Sequence, residues 1–176
     1  TVEPTFEVPM DLARSLGRPV VRIPLTPPYA ADVKRLAAEA ARAGGGLIYL
    51  CNPNNPTGSV TPKADIAWLA ANLPAGAVLL LDEAYFHFGD TADLESGLGF
   101  VQQGRDVMVA RTFSKIWGMA GVRCGFVCAP PGLLARLSPY RNNVISYPAR
   151  QAVMAALAEA GKILPDRRAR YLKTRR

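Results

Sequence analysis

Histidine is almost missing from this sequence of 176 residues, His87 being the only one. Cysteine is scarce too: Cys51, Cys124 and Cys128 lack histidine companions at metal-ligand spacing, which argues against a metal centre, and their odd number argues against a disulfide scaffold. Set in apolar runs, all three read as buried free thiols. No apolar stretch approaches the ~20 residues that cross a bilayer, and no basic-then-apolar leader opens the sequence. No membrane partner is therefore expected, and a cytoplasmic location is. Acid is absent from the last ten residues, which hold Arg167, Arg168, Arg170, Lys173, Arg175 and Arg176. Without these six the formal charge of +7 is nearly cancelled, so the excess is local. It reads as one solvated helix face, and no nucleic-acid partner is expected from it.

What is present is the composition of a soluble α/β protein, 49% hydrophobic, without repeats or low-complexity segments. Two periodicities alternate along it. Helical spacing is expected over Glu7 to Leu16, Ala30 to Ala43, Pro62 to Asn72, Gly132 to Leu137, Pro148 to Ala160 and from Asp166 onward. Strands are expected at Pro19 to Ile23, Leu47 to Cys51, Ala77 to Leu81, Asp106 to Ala110 and Gly125 to Cys128. The run at Ala77 to Leu81 suits a strand covered on both faces. Strands separated by helices predict a three-layer α/β/α fold around a mainly parallel sheet. The connection from Val109 to Phe126 is too short for a helix, which predicts one antiparallel strand. The first residue is not methionine and the last lie in a helical pattern without a stop signal, so the chain is expected to be a piece of something longer.

Three polar motifs each follow a strand-like run: Asn52-Pro53-Asn54-Asn55-Pro56-Thr57-Gly58, Asp82-Glu83-Ala84-Tyr85, and Arg111 to Gly125 around Lys115. Open α/β sheets bind ligands at the carboxyl ends of their strands, so the three motifs are expected to converge. A lysine amine becomes a useful nucleophile when its proton is easily lost, which desolvation or a nearby cation arranges. Ile116, Trp117 and Met119 promise the first and Arg123 the second. Thr112, Ser114 and Arg123 together suit a phosphate, hydroxyls by single bonds and guanidinium by a fork. Two prolines and a glycine stiffen the turn that presents Asn55; Asn54 suits an Asx turn as well as it suits a ligand, and Asn52 reads as structural. His87 has no carboxylate near it in sequence and reads as surface or structural. Asp82 and Glu83 are adjacent, so in extended chain they point to opposite faces and do not form an acid–base pair.

In order and spacing these motifs resemble the signature of the fold-type I pyridoxal-phosphate (PLP) aminotransferases, most closely the histidinol-phosphate aminotransferase group. The resemblance covers essentially the whole chain. It implies that Lys115 is the covalent anchor of PLP and the base and acid that moves a proton at the substrate's α-carbon. It also implies that Asp82 holds the protonated pyridine nitrogen, that Tyr85 and Asn55 share the phenolic oxygen, and that Thr112, Ser114 and Arg123 bind the phosphate. Pro4-Thr5-Phe6 resembles the family's segment whose aromatic ring covers the cofactor, although Phe6 equally suits an apolar residue opening a helix. The implied partners are an amino acid or amine, with histidinol phosphate the nearest-family choice, a 2-oxo acid, and a second copy of the full-length protein as homodimer. Residues 1–160 would be a partial large domain and residues 161–176 the start of the helix leading to a small domain. Another PLP reaction on the same scaffold, decarboxylase or carbon–sulfur lyase, would keep every one of these residues. A transcription regulator's effector domain with an aminotransferase-like fold is the non-enzymatic alternative.

Overall fold

A computed structural model describes residues 1–140 and 144–174. Arg141, Asn142 and Asn143 of the Tyr140 to Tyr147 tract, and Arg175 and Arg176 of the basic tail, lie outside the described residues. The sheet consists of four strands: β3 (Gly46–Cys51), β4 (Ala77–Asp82), β5 (Val107–Thr112) and β6 (Gly125–Cys128), in that spatial order. The first three are parallel and β6 runs antiparallel to β5, with Thr112 opposite Gly125 and Val109 opposite Cys128. This is the expected mainly parallel sheet with one reversed strand. A separate parallel pair, β1 (Val2–Glu3) with β2 (Ile23–Pro24), flanks helix α1 (Val8–Ser15). The strand expected at Pro19 to Ile23 is thus reduced to Ile23 and Pro24, because its partner β1 offers only Val2 and Glu3 to pair with. Its two-residue partner β1 carries no periodicity that a sequence reading could detect.

Strand parity distributes the core. Ile48, Leu50, Leu79, Leu81, Val107 and Val109 share one face and pack on helices α2 (Val33–Arg42), α3 (Lys63–Ala71) and α4 (Leu98–Gln102). Helix α2 meets them through Val33, Leu36, Ala37 and Ala40, one stripe at helical spacing. It begins at Val33, later than expected, because the Asp32 side chain caps it by accepting from the Arg35 amide at 2.9 Å. At its other end Gly45 is held at φ +109, where an added Cβ would stand 2.6 Å from the Gly76 carbonyl, so only glycine lets the chain re-enter the sheet here.

The opposite face carries Tyr49 and Cys51 against Met10 of α1, and Leu80 and Met108 against Leu133 of helix α5 (Pro131–Leu137). The three layers are therefore present, with one difference. Leu79 and Leu81 are fully buried while Val78 and Leu80 are half-buried, so β4 is not covered equally on both faces as its apolar run predicts. Each fully buried leucine contributes about 1.5–3 kcal/mol, which makes the α2–α3 side the anchor of the fold. Helices α6 (Tyr147–Ala158) and α7 (Ala160–Thr174) form a third cluster: Val153, Ile163 and Leu164 close over Phe113, Ile116, Trp117 and Cys124. Among the described residues no helix is long and apolar enough to cross a membrane.

Candidate functional site at the strand ends

The sheet geometry delivers the three motifs to one edge. Cys51 pairs with Asp82 and Asp82 with Ala110, so the ends of β3, β4 and β5 lie side by side and the polar loops leave from adjacent points. Asp82 is the last residue of β4. Its two carboxylate oxygens accept from the Tyr49 hydroxyl at 2.8 Å and the Ala84 amide at 3.0 Å. Burial first, then the charge of Asp82, pushes the Cys51 thiol up to about 12, and burial, then Cys51 and Asp82, raises the Tyr49 phenol as well. Both therefore remain protonated: Tyr49 is a donor to the carboxylate, and Cys51, bonded to the Pro53 carbonyl at 3.3 Å, is inert. Cys51 and Cys124 are buried free thiols as expected, whereas Cys128 is partly open.

Glu83 turns the other way, as adjacent residues in extended chain must. Only 3% exposed, it accepts from Ser96 Oγ, from the Gly97 amide at 2.7 Å and from Arg111 Nε and Nη2 at 3.0 and 2.7 Å. Arg111 also lies 4.8 Å from the Phe86 ring centre. The loop that begins at Asp82 is thus pinned from behind by a buried ion pair.

Lys115 lies three residues past the end of β5, in a turn closed by Gly118 N to Lys115 O at 2.8 Å and Met119 N to Phe113 O at 3.0 Å. Phe113, Ile116 and Trp117 face into the core and Lys115 is exposed. The desolvation expected from those apolar neighbours is consequently not realised around the amine in this chain. Its Nζ stands 5.0 Å from the Tyr85 ring centre, a cation–π distance. Tyr85 and Asn55 line one pocket of about 280 Å³ with Phe88 and Tyr171. By contrast Asn54 is consumed structurally, accepting from Thr5 at 2.8 Å and donating to the Pro4 carbonyl at 3.0 Å, and Asn52 is held by both backbone groups of Thr61.

The remaining expected residues are placed less convergently. Thr112 Oγ1 accepts from the Ser114 amide at 3.0 Å, so these two hydroxyl residues share one turn. Arg123, in left-handed conformation at φ +55, donates to the Ala120 carbonyl at 2.9 Å rather than to Thr112 or Ser114. Phe6 is 39% exposed, and its segment is fastened to the Asn54 turn through Thr5. His87 is half-buried, edge-on to Trp117 at 6.2 Å and to Phe86 at 5.6 Å, which is a structural role. Burial and, secondly, Arg111 lower its pKa. The unfolded chain then binds this proton first as pH falls through about 6.5, so His87 favours the folded state above that value and loses the benefit below it. The urea midpoint is expected to fall between pH 7.5 and 5.5, and His87→Phe should flatten that slope; an unchanged slope would remove His87 as a cause.

Sequence reasoning missed Tyr49, the Glu83 anchor, and the two aromatic walls Phe88 and Tyr171. Tyr49 is two residues before Cys51, hence on its face, but only strand register brings it to Asp82. Among the described residues no cluster of His, Cys, Asp and Glu could hold a metal ion.

The sequence is 40% identical over 140 residues to a histidinol-phosphate aminotransferase of Symbiobacterium thermophilum, covering 80% of this chain and 38% of that protein. An aromatic amino acid aminotransferase of Rhodococcus jostii is 34% identical, over 91% of this chain and 44% of its own. The fold superposes with a TM-score of 0.85 on the histidinol-phosphate aminotransferase of Sinorhizobium meliloti in complex with pyridoxal-5'-phosphate, at 30% identity, over 94% of this chain and 44% of that one. The chain spans less than half the length of these relatives. The sequence profile of aminotransferase class I and II matches residues 2–176, and with a match over nearly its whole length, on a fold that sets lysine, aspartate, tyrosine and asparagine at one sheet edge, this chain belongs to the class I and II aminotransferases.

Proposed function

We propose that the protein to which this chain belongs is a PLP-dependent aminotransferase that moves an amino group between an amino acid or amine and a 2-oxo acid, with histidinol phosphate as the first amino substrate to try. The observation that carries this reading is the placement of the Lys115 amine 5.0 Å from the ring of Tyr85, which with Asn55 lines the pocket at the strand ends. The donor set fits PLP: one amine for the aldehyde, one carboxylate for the ring nitrogen, two neutral donors for the phenolic oxygen, and hydroxyls for the phosphate. When bound, PLP supplies an electron sink for the charge left as the substrate's α-proton departs.

The chain's own residues do the rest. Lys115 holds the cofactor covalently and carries the proton at the α-carbon. Asp82 would hold the ring nitrogen, its carboxylate being oriented by the Tyr49 hydroxyl and the Ala84 amide that donate to it. Tyr85 and Asn55 donate to the phenolic oxygen. Thr112 and Ser114, with Arg123, serve the phosphate, and Phe6 the face of the ring. Residues 1–160 act as the PLP-binding large domain, 161–176 lead toward a small domain, and the full-length protein works as a cytoplasmic homodimer. Asp82→Asn tests the assignment, since an amide keeps the shape but not the charge. In the full-length protein kcat for amino-group transfer to a 2-oxo acid is expected to fall about a hundredfold, with PLP still bound. Unchanged kcat would remove Asp82 from the site, and decarboxylation without 2-oxo acid turnover would favour another PLP reaction.

A further inference from the structure

Helix α7 carries the basic run, and its charges do not all lie on a solvated face. Arg170 pairs with Asp166 at 3.1 Å and stays exposed, as the sequence reading expects of the whole tail. Arg167 is exposed as well, but its guanidinium is tied to a distant segment. Its Nη1 donates to the Ile116 carbonyl at 2.9 Å, across a separation of 51 residues. The same guanidinium lies over Gly118, whose φ is +65 and where an added Cβ would stand 2.7 Å from Nη1. One turn along the same helix face, Tyr171 packs edge-on to Phe88 at 4.8 Å and lines the pocket shared by Tyr85 and Asn55. A single face of α7 thus touches the lysine turn with Arg167 and the Tyr85 loop with Tyr171.

We propose that Arg167 is a positioning residue for Lys115, and that α7, through Arg167 and Tyr171, sets the spacing between Lys115 and Tyr85. This rests on the aminotransferase reading. Lys115 is exposed on a flexible four-carbon stem, so its backbone must locate the amine. That backbone is tied within the turn by Gly118 N to Lys115 O, and from outside by the guanidinium on the neighbouring carbonyl. A turn held only from within would open more often, and small displacements of a reacting group are costly in rate.

The test uses the full-length protein and two readouts, amide hydrogen exchange over residues 116–119 and steady-state kinetics. Arg167→Met keeps the bulk and removes the donors. Exchange in that turn is expected to quicken about fivefold or more as local opening is released. The kcat should fall about tenfold while KM for the amino donor changes less than about twofold, the pattern of a misplaced reacting group. Arg167→Lys keeps one donor and should recover most of both. If Arg167→Met does not fold, Arg167→Gln, which keeps a donor on a stem too short to reach the Ile116 carbonyl, is expected to show the same faster exchange and lower kcat, and wild-type values for both would overturn the proposal. A lower melting temperature with exchange and kcat as in wild type would make Arg167 merely structural and overturn the proposal. Failure of the underlying reading looks different: wild-type protein would then show no visible band with PLP, while the exchange comparison, which needs no cofactor, still reports on Arg167.

Discussion

Lys115→Ala in the full-length protein is expected to leave PLP bound through its phosphate yet lower amino-group transfer about ten-thousandfold, because the substitution removes both the covalent anchor and the proton carrier. General acid–base catalysis alone is worth roughly 10²–10⁴ in rate. The alanine should cost little stability, since Lys115 is exposed and its turn is closed by backbone bonds. In wild type, borohydride should bleach the visible band and leave the pyridoxyl group on the peptide containing Lys115. Modification of another lysine, or turnover retained by the alanine variant, would refute the assignment. The geometry makes the outcome specific: Lys115 is the lysine whose Nζ stands over Tyr85, one strand away from Asp82.

The second large effect concerns stability. Glu83→Ala is expected to destabilise the fold by about 3–5 kcal/mol, the usual consequence of stranding one member of a buried ion pair. Glu83 is 3% exposed and the Arg111 side chain 15%, so neither can regain full hydration when the other is lost. Gly97 N and Ser96 Oγ would lose their acceptor in the same step. For a chain of this length the melting temperature should drop by roughly 10 °C. Glu83→Ala with Arg111→Met should be less damaging than Glu83→Ala alone, since no charge is then left without a partner. A loss below about 1 kcal/mol for the single variant would mean that water reaches Arg111 and that the pair is not the anchor of the loop. Function should suffer with stability. The Glu83 cluster fixes the chain one residue past Asp82 and two before Tyr85.

Much of this is legible locally. The alternating periods predict β3 to β6 and most helices within a few residues, and the shortness of the Val109 to Phe126 connection predicts the reversal of β6. The errors fall where a local signal met a nonlocal constraint. Pro19 to Ile23 looks extended but has almost no ladder to join, the apolar run of β4 does not reveal that its second face is only half covered, and Ile116 and Trp117 lie beside Lys115 in sequence yet turn away from it.

The sequence by itself determined which residue types stand at the strand ends: asparagine after β3, aspartate at the end of β4, lysine after β5. Each motif is a short run whose chemistry and turn preference are encoded within a few residues. Only the tertiary structure decided which distant groups serve them. Tyr49 reaches Asp82 across 33 residues, Arg111 reaches Glu83 across 28, and Arg167 reaches Ile116 across 51. Strand register selects the first two and helix docking the third. Those pairings depend on the burial of whole faces, where a one-residue slip would turn every side chain away, and no local run of sequence carries that information.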